Sequence, residues 1–326
     1  MPSDPQRESE RRTRRERIDP KLEAAGWSIV RAGTDSNPAL YSRHALEEFP
    51  TANGPADYGL VVDGQLVGVV EAKKVTLGPQ GVLTQAERYA RGIADAPFDY
   101  SGLRVPFLFS TNGEVIWFHD VRNPRNLSRQ VSHFFTPSAL AELLSEDRLA
   151  ALAKLAAMPN DHPRLRPYQI DANTATEGAI AECKRQMLVA MATGTGKTFT
   201  IVNQAYRLMK SGVARRVLFL VDRRALAAQA VRSFAAFEPE PGLKFDKIYE
   251  VYSQRFQRED FDEDEKFDPQ VLPASYLMAP QPGLAFVYVC TIQRMAINLL
   301  GRQAVFSEEG DDIDEDAELL PIPIHA

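Results

Sequence analysis

The chain has 326 residues, of which 44% are hydrophobic and 25% are charged, and its formal net charge is −6 at pH 7. These values are typical of a soluble globular protein with about two domains, and they exclude polyanion binding through overall charge, although a local basic patch can still bind nucleic acid. No apolar run is long enough to span a membrane, and the polar start of the chain is unlike a signal peptide. With only two, widely separated cysteines, we expect a cytoplasmic protein without membrane contact.

The chain begins with a polar segment, 1–17, that is rich in arginine. Two interpretations of this basic tail remain open: a disordered chain end, or an arm that contacts nucleic-acid backbone or a partner subunit. The segment 18–27 then predicts a short helix that Asp19 caps and Gly26 closes.

An Asp-Gly dipeptide at 63–64 lies between two β-rich runs and predicts a β-hairpin. A three-residue loop with a glycine bulge places Asp57 opposite Glu71, whereas a two-residue loop places Asp57 opposite Val70, beside Glu71. Alternation along the second strand puts Glu71 and Lys73 on one face. We therefore expect an Asp, a Glu and a Lys to converge at one end of this hairpin.

Converging carboxylates in an apolar setting repel each other unless a cation lies between them. A divalent metal such as Mg²⁺ supplies that charge, and its expected ligands are Asp57, Glu71 and the carbonyl group of Ala72. Lys73 can then orient or help to activate a water and neutralise charge on a phosphate. This is the chemistry of a phosphodiester-cleaving nuclease. The alternative is a solvated sheet edge with an Asp–Lys or Glu–Lys ion pair.

The order Asp57, then Glu71-Ala72-Lys73, resembles the D…ExK signature of the PD-(D/E)xK nucleases. Downstream, Gln85 and Tyr89 resemble the Q-x-x-x-Y helix element of one branch of this family, and their spacing places both on one helix face. The resemblance implies that the pair acts at the active site or on the DNA backbone. The alternative is an ordinary helix surface.

Two further segments complete the first domain. An Asn-Gly dipeptide at 112–113 predicts a hairpin over 106–120 that extends the same sheet. Leucines at helical spacing predict one helical run over 139–157. The predicted organisation is a basic tail 1–17, a nuclease domain 18–157, a linker 158–163 and a second domain 164–326.

The second domain is organised around the sequence MATGTGKT at 191–198, between an apolar run, 186–190, and a helix-like run, 199–210. Strand, glycine loop and helix in this order are the context of a phosphate-binding P-loop, whereas the alternative is a turn that is rich in Gly and Thr. In a P-loop, main-chain N–H groups and the lysine hold phosphates, and the following Thr offers its hydroxyl to Mg²⁺. The expected ATP-binding residues of the loop are Thr193, Gly194, Thr195, Gly196, Lys197 and Thr198, with Thr198 as the metal-contacting residue.

Upstream of the loop, Arg166, Tyr168 and Gln169 resemble the adenine-reading Q-motif region of superfamily 2 helicases. The resemblance implies that the amide of Gln169 hydrogen-bonds adenine and that Tyr168 or a nearby side chain stacks on the ring. The alternative is a helix start with Gln169 in solvent.

Two apolar runs, 215–222 and 285–291, predict strands that are buried on both faces of a parallel sheet. The residues at their carboxyl ends resemble helicase motif Ia and a TxxR-like element, which contact DNA in that family. The positions that match are Arg223, Arg224, Gln229, Thr291, Gln293 and Arg294.

No D-E-x-H box and no second RecA-like lobe follow, so we expect a truncated first motor lobe that hydrolyses ATP poorly. The expected fold class is α/β: a PD-(D/E)xK nuclease-like mixed sheet with flanking helices, followed by a RecA-like P-loop lobe with a parallel sheet. This order of domains resembles the R (restriction and translocation) subunit of type I restriction-modification enzymes. The resemblance implies Mg²⁺-dependent cleavage of double-stranded DNA coupled to ATP-driven translocation, with methyltransferase (M) and specificity (S) subunits as partners.

Two other interpretations remain open. One is another helicase–nuclease of defence or DNA repair. The other is a non-catalytic chain that only binds DNA or nucleotide, which the missing D-E-x-H box favours for the ATPase half.

Overall fold

A computed structural model describes residues 12–32, 36–73, 83–256, 269–278, 283–301 and 319–320. The chain divides into two compact units, unit 1 (Met1–Glu146) and unit 2 (Asp147–Ala326). Two charged segments, 258–268 and 308–318, which their composition predicts to be solvated loops, lie outside the described residues. None of the helices in these described ranges has both the length and the apolar character needed to cross a membrane.

Unit 1 contains a seven-stranded mixed sheet in which the strands are neighbours in chain order. The pairs β1/β2 and β4/β5 are parallel, and the other pairs are antiparallel. Apolar clusters cover both faces, so the sheet is the central layer of a mixed α/β unit. The strands are β1 (Ser28–Arg31), β2 (Arg43–Phe49), β3 (Ala56–Val62), β4 (Gln65–Ala72), β5 (Phe107–Thr111), β6 (Ile116–Asp120) and β7 (Arg129–Val131), and the α-helices are α1 (Asp19–Ala24), α2 (Leu83–Arg91) and α3 (Pro137–Ser145).

The first helical segment begins earlier than predicted. A π-helical turn, Arg14–Ile18, continues directly into α1, and Gly26 follows the helix with a φ of 84°, as a closing glycine should. The prediction that Asp19 caps the helix is wrong because residue 19 already lies inside the helical segment. Its carboxylate instead accepts a hydrogen bond from the hydroxyl of Tyr58 at 2.6 Å. Residues 1–11 of the predicted tail lie outside the described part of the chain.

The predicted first hairpin is confirmed as β3 and β4, but its register combines the two expected ones. A two-residue turn joins the strands, yet a β-bulge after Leu60 shifts the register so that Tyr58 pairs with Val70. One residue further along, Asp57 is level with Glu71. The shorter turn thus occurs together with the carboxylate pairing that the longer loop predicts. The second hairpin, β5 and β6, is also confirmed.

Unit 2 contains a four-stranded parallel sheet with the strand order β10-β9-β11-β8. Its strands are β8 (Arg216–Val221), β9 (Glu250–Ser253), β10 (Gln270–Val271) and β11 (Phe286–Thr291), and its α-helices are α4 (Arg148–Ala157), α5 (Pro167–Ala181), α6 (Lys197–Ser211), α7 (Arg224–Ala236), α8 (Ala274–Met278) and α9 (Ile292–Leu300). The two predicted strands are confirmed as β8 and β11. Full burial holds only for β11, since β8 pairs with β11 alone among the described strands and is partly exposed.

The prediction of one helix over 139–157 is wrong. The chain breaks between α3 and α4, where the Asp147 carboxylate caps α4 by accepting a hydrogen bond from the N–H of Ala150. The division between the two units falls at this break, because α4 packs against α6 and α5 of unit 2. Leucine spacing alone did not reveal the break, since both helices carry leucines.

The predicted strand at 186–190 is wrong, although the helix after the glycine loop is confirmed as α6. The run pairs with no strand in the described part of the chain, and Leu188 is 93% exposed. A strand is stabilised by ladder hydrogen bonds to a neighbour, which apolar composition does not supply by itself. The loop at 191–196 is therefore anchored by its helix and not by a strand.

Candidate active site

The end of the β3–β4 hairpin brings three predicted residues together. Asp57 lies on β3, Glu71 lies on β4, and Lys73 follows β4 directly. The Oδ2 atom of Asp57 accepts a hydrogen bond from the N–H of Ala72 at 2.7 Å, and the Nζ atom of Lys73 donates to Oε1 of Glu71 at 2.6 Å. We call Asp57, Glu71 and Lys73 the carboxylate cluster. It forms a polar end to a hairpin that is otherwise apolar and buried.

Burial dominates the electrostatics of the carboxylate cluster. The Glu71 side chain is 4% exposed, and its buried Oε2 atom has no hydrogen-bond partner within the described part of the chain. Burial, and next the negative charge of Asp57, raises the pKa of Glu71 to about 7 against the opposing effect of Lys73. Burial also raises the pKa of Asp57, although the hydrogen bond from Ala72 and the charge of Arg14 oppose it. The two carboxylates therefore resist simultaneous ionisation, which a bound cation would relieve.

Arg14, which we assigned to the basic tail, also reaches the cluster. Its Nη1 atom donates to Oδ1 of Asp57 at 3.1 Å, and its Nη2 atom donates to Oε1 of Glu48 at 3.0 Å. The side chain is only 7% exposed. No sequence pattern indicated this role, because one arginine among several in a polar segment cannot be told from its neighbours and the contact spans more than forty residues.

The charges around the cluster fit a divalent cation. When all groups are ionised, four carboxylates against two cations leave a formal charge of −2, and Glu71 contributes an oxygen to which no described residue hydrogen-bonds. Hard cations such as Mg²⁺ bind oxygen ligands of this kind. The groups counted are Glu47, Glu48, Asp57 and Glu71 against Arg14 and Lys73.

Side chains alone do not complete a metal site here. Within the described ranges, no three or more Asp, Glu, His or Cys side chains are grouped as metal ligands. The carbonyl of Ala72 is a candidate further ligand. The N–H of Ala72 points to Asp57. Because the N–H and C=O of one strand residue point to the same neighbouring strand, the Ala72 carbonyl also points towards β3. Two carboxylates and one main-chain oxygen thus form the candidate donor set.

Gln85 and Tyr89 lie on one face of α2, as their spacing predicts. The Nε2 atom of Gln85 is 3.4 Å from the hydroxyl of Tyr89. Helix α2 packs on β4 and β5 through the buried Ala86 and Ala90. Among the described contacts, no hydrogen bond joins this pair to the carboxylate cluster, so its role at the active site stays a prediction.

The glycine loop of unit 2 lines a separate cavity of about 640 Å³. Gly194 and Gly196 have φ angles of 77° and 80°, in the left-handed region that favours glycine. The Nζ atom of Lys197 donates to the carbonyls of Met191 and Ala192 at 3.3 and 3.4 Å, so the amine lies close to the loop. The predicted residues that line this cavity are Thr193, Gly194, Gly196, Lys197, Thr198 and Gln229. Gln229, predicted as a DNA contact, therefore lies beside the glycine loop.

The side chain of Gln169 is buried against the loop and is not in solvent. Its Nε2 atom donates to the carbonyls of Thr195 and Gly196 at 2.9 and 3.3 Å, and its Oε1 atom accepts from the N–H of Arg166. The hydroxyl of Tyr168 donates to the same Thr195 carbonyl at 3.0 Å. The Q-motif residues and the loop are therefore one hydrogen-bonded unit, and adenine recognition by Gln169 stays a prediction.

Three cavity residues were missed from the sequence. The guanidinium carbon of Arg164 lies 4.8 Å from the centre of the Phe199 ring, and the rings of Phe199 and Phe237 are 5.4 Å apart. These groups form a cationic and aromatic part of the cavity lining. Ordinary core packing explains aromatic residues equally well in a sequence, so no signal distinguished them.

Apart from Gln229, which lies within α7, the predicted DNA-contacting residues lie at or just after the carboxyl ends of β8 and β11, two paired parallel strands. The Arg223 side chain is 81% exposed. Thr291, in contrast, is buried, and its hydroxyl caps α9 by accepting from the N–H of Arg294. Arg224 donates to the carbonyl of Arg255, and Gln293 is exposed. Contact of these residues with DNA stays a prediction.

Two family models match successive parts of the chain. Residues 30–144 match the model described as the second domain of the type I restriction enzyme EcoKI endonuclease subunit, and residues 162–317 match the model described as the res subunit of type III restriction enzymes. No solved structure matches the chain.

Curated relatives point the same way. The chain is 31% identical to the type I restriction enzyme EcoKI endonuclease subunit of Escherichia coli K12 over 283 residues, which cover 72% of this chain and 24% of that protein. It is 31% identical to the EcoAI endonuclease subunit of Escherichia coli over 187 residues, or 52% and 23% of the two chains. A third relative, the SsaAORF53P endonuclease subunit of Staphylococcus saprophyticus, is 24% identical over 195 residues, or 56% and 20%. The matched region spans about a quarter of the first two relatives.

Proposed function

We propose, from the homology of this chain to the N-terminal part of type I restriction enzyme endonuclease subunits, that it carries the nuclease site and the nucleotide loop of such a subunit. The observation that carries the proposal is the carboxylate cluster, in which the buried Glu71, the partly buried Asp57 and Lys73 meet at a hairpin end. The proposed reaction is hydrolysis of phosphodiester bonds in double-stranded DNA with Mg²⁺.

Asp57, Glu71 and the Ala72 carbonyl would hold Mg²⁺, which, when bound, neutralises the carboxylates and polarises the phosphate as a Lewis acid. The fit rests on the buried Glu71 oxygen, which has no partner among the described residues, and on the raised pKa values of both carboxylates. Both features describe a site with too much negative charge for a buried environment.

Lys73 has two proposed roles. Its ammonium group contacts Glu71 at 2.6 Å and its side chain is 16% exposed, so it is held in place yet remains open to solvent. From this position it can orient an attacking water through a hydrogen bond from Nζ. It can also neutralise negative charge that develops on the phosphate in the transition state. Gln85 and Tyr89 are proposed to act beside it on the DNA backbone.

In unit 2, we assign ATP binding to the glycine loop and α6. The main-chain N–H groups and Lys197 would hold the phosphates, and Thr198 would contact the Mg²⁺ that accompanies ATP. Gln169 supports the loop through its two donated hydrogen bonds, and it would contact adenine only by exchanging them. In the complete enzyme, ATP hydrolysis would drive translocation along duplex DNA that Arg223, Arg224, Gln229, Thr291, Gln293 and Arg294 help to contact. Methyltransferase and specificity subunits are the proposed partners, and the cytoplasm is the proposed location.

A metal titration tests the nuclease assignment. Supercoiled plasmid is incubated with the chain and increasing Mg²⁺, beside an Asp57→Asn variant that keeps the size of the side chain. We expect nicking that rises with Mg²⁺, disappears with EDTA and is lost in the variant. As a matched control, Glu114→Gln removes a carboxylate that is about half exposed and pairs with Arg17, and it should leave cleavage unchanged. Equal nicking by Asp57→Asn and the wild-type chain would refute the assignment.

A further inference from the structure

The antiparallel pairing of β2 with β3 is interrupted at one residue of β2. Glu47 pairs with Tyr58 and Phe49 pairs with Ala56, so Glu48 lies opposite Asp57. Glu48 has a φ of 57°, in the left-handed region that a glutamate rarely adopts. Such strain persists only where surrounding contacts fix it, and it is concentrated at functional sites.

Glu48 and Asp57 would repel each other without a cation, because like charges directly opposite each other destabilise a strand pair. Arg14 is that cation. Its guanidinium donates one hydrogen bond to each carboxylate, at 3.0 and 3.1 Å, and it lies 3.9 Å from Glu47. The residue comes from the π-helical turn before α1, so three separate elements meet at this point.

We propose that Arg14 is a positioning residue of the nuclease site, clamping Asp57 against Glu48 so that its carboxylate faces Glu71. The inference rests on the proposed function. Arg14 anchors Oδ1 of Asp57 and the N–H of Ala72 anchors Oδ2, so both oxygens are fixed. A carboxylate oxygen accepts more than one hydrogen bond or ligand, and each therefore keeps a lone pair for a metal.

The opposite role, in which Arg14 takes the place of the metal and blocks it, is disfavoured by its position. In the described part of the chain, Arg14 forms ion pairs with Glu47, Glu48 and Asp57 and none with Glu71. Among the described ion pairs, Arg14 therefore joins Asp57 to β2 and does not join Asp57 to Glu71. Its nearly complete burial and its bond to Glu48 hold it in place.

Metal affinity distinguishes the two roles because they predict opposite signs. Removing a positive charge near a cation site would by itself strengthen cation binding, whereas loss of a positioning group should weaken it. Mn²⁺ binding to the chain is measured by titration calorimetry for the wild type, Arg14→Gln, Arg14→Lys, Glu48→Gln and Asp57→Asn. We expect Arg14→Gln to weaken Mn²⁺ binding by about 10-fold or more, the range of groups that orient metal ligands, and Arg14→Lys to weaken it less.

Arg12→Gln is the matched control, since Arg12 is exposed on the same helical segment and pairs only locally with Glu16. It should bind Mn²⁺ like the wild type. Unchanged or tighter binding by Arg14→Gln, with Asp57→Asn weakened, overturns the proposal for Arg14 alone. Unchanged Mn²⁺ binding by Asp57→Asn would show that Asp57 is not a metal ligand. It would overturn the proposed metal site and, with it, the proposal for Arg14.

Thermal unfolding shows whether Arg14→Gln folds. If it does not fold, Glu48→Gln provides a second test of the proposal. This variant leaves Arg14 in place and loosens only its anchor, and we expect weaker Mn²⁺ binding by several-fold. The double variant Arg14→Gln/Asp57→Asn should bind no more weakly than Asp57→Asn, because Arg14 acts through Asp57. Additive losses would show that Arg14 acts by another route and would overturn the proposal.

Discussion

The Nζ atom of Lys73 lies 2.6 Å from Oε1 of Glu71, two residues earlier in the chain. On the other side of the cluster, Arg14 makes the corresponding contact with Asp57 at 3.1 Å. Each carboxylate thus has its own basic partner, yet burial still raises the pKa of both. Electrostatic repulsion between these two neighbouring carboxylates therefore remains in the folded protein.

The stability of the metal-free protein should fall as the pH rises from about 4.5 to about 7. Between these values, folded Glu71, whose pKa is raised from 4.5 to about 7, keeps a proton that the unfolded chain has released, so raising the pH favours unfolding. The loss is on the order of 3 kcal/mol and levels off above the folded pKa. Urea unfolding in EDTA at pH 5 and pH 8 measures it.

Glu71→Gln should remove this part of the pH dependence, because the amide imitates the protonated acid at every pH. Above pH 7 the metal-free variant should be more stable than the wild type. Glu114→Gln, at an exposed site, should keep the wild-type pH dependence. If Glu71→Gln lost as much stability between pH 5 and pH 8 as the wild type, the buried-acid account of Glu71 would be wrong.

The two sites should be separable by mutation. Lys197→Ala removes the lysine of the glycine loop and should abolish ATP binding, measured with a fluorescent ATP analogue, while Mg²⁺-dependent nicking by the chain persists. Asp57→Asn should abolish nicking and leave ATP binding unchanged. The expectation follows from their places in two different compact units. Loss of both activities in either variant, with folding intact by circular dichroism, would contradict it.

Gln169→Ala should weaken the binding of ATP and GTP to the same extent. The amide supports the loop that holds the phosphates, and its loss removes hydrogen bonds worth about 1 kcal/mol, or roughly five-fold in Kd. Competition titrations with both nucleotides measure the effect. A loss confined to ATP would instead assign Gln169 to adenine recognition.

Two glycine substitutions should change stability in opposite directions. At Gly59 a Cβ would lie 2.8 Å from the Phe49 ring and 2.9 Å from Leu66, so Gly59→Ala should destabilise unit 1 by about 1–3 kcal/mol. At Gly178, inside α5, a Cβ would meet nothing within 4 Å, so Gly178→Ala should stabilise the helix by about 0.5–1 kcal/mol. Denaturant unfolding of both variants checks the packing described for each unit.

Local signals predicted much of unit 1. The Asp-Gly and Asn-Gly turns fixed both hairpins, and strand alternation placed Glu71 beside Lys73. The β-bulge and the contact of Arg14 with Asp57 could not be predicted, because each depends on packing between segments that are distant in sequence. Long-range contacts of that kind leave no periodic pattern in one chain.

Unit 2 was less predictable for a related reason. The glycine loop and α6 follow from residue type, since Gly196 needs a left-handed backbone and the helix begins directly after it. The apolar run at 186–190 was read as a strand, but a strand exists only where a partner strand pairs with it. The β9 and β10 strands were missed because they are short, and Gln169 was placed by hydrogen bonds across 26 residues.

The most direct test of the nuclease account is the rate of plasmid nicking in Mg²⁺ without ATP by the wild-type chain and by Lys73→Ala. Lys184→Ala, which removes an exposed lysine of unit 2, is the control. We predict that the wild type and the control nick at the same rate and that Lys73→Ala is slower by about 100-fold or more. Equal rates for Lys73→Ala and the wild type, or no nicking by the wild type, would contradict the account.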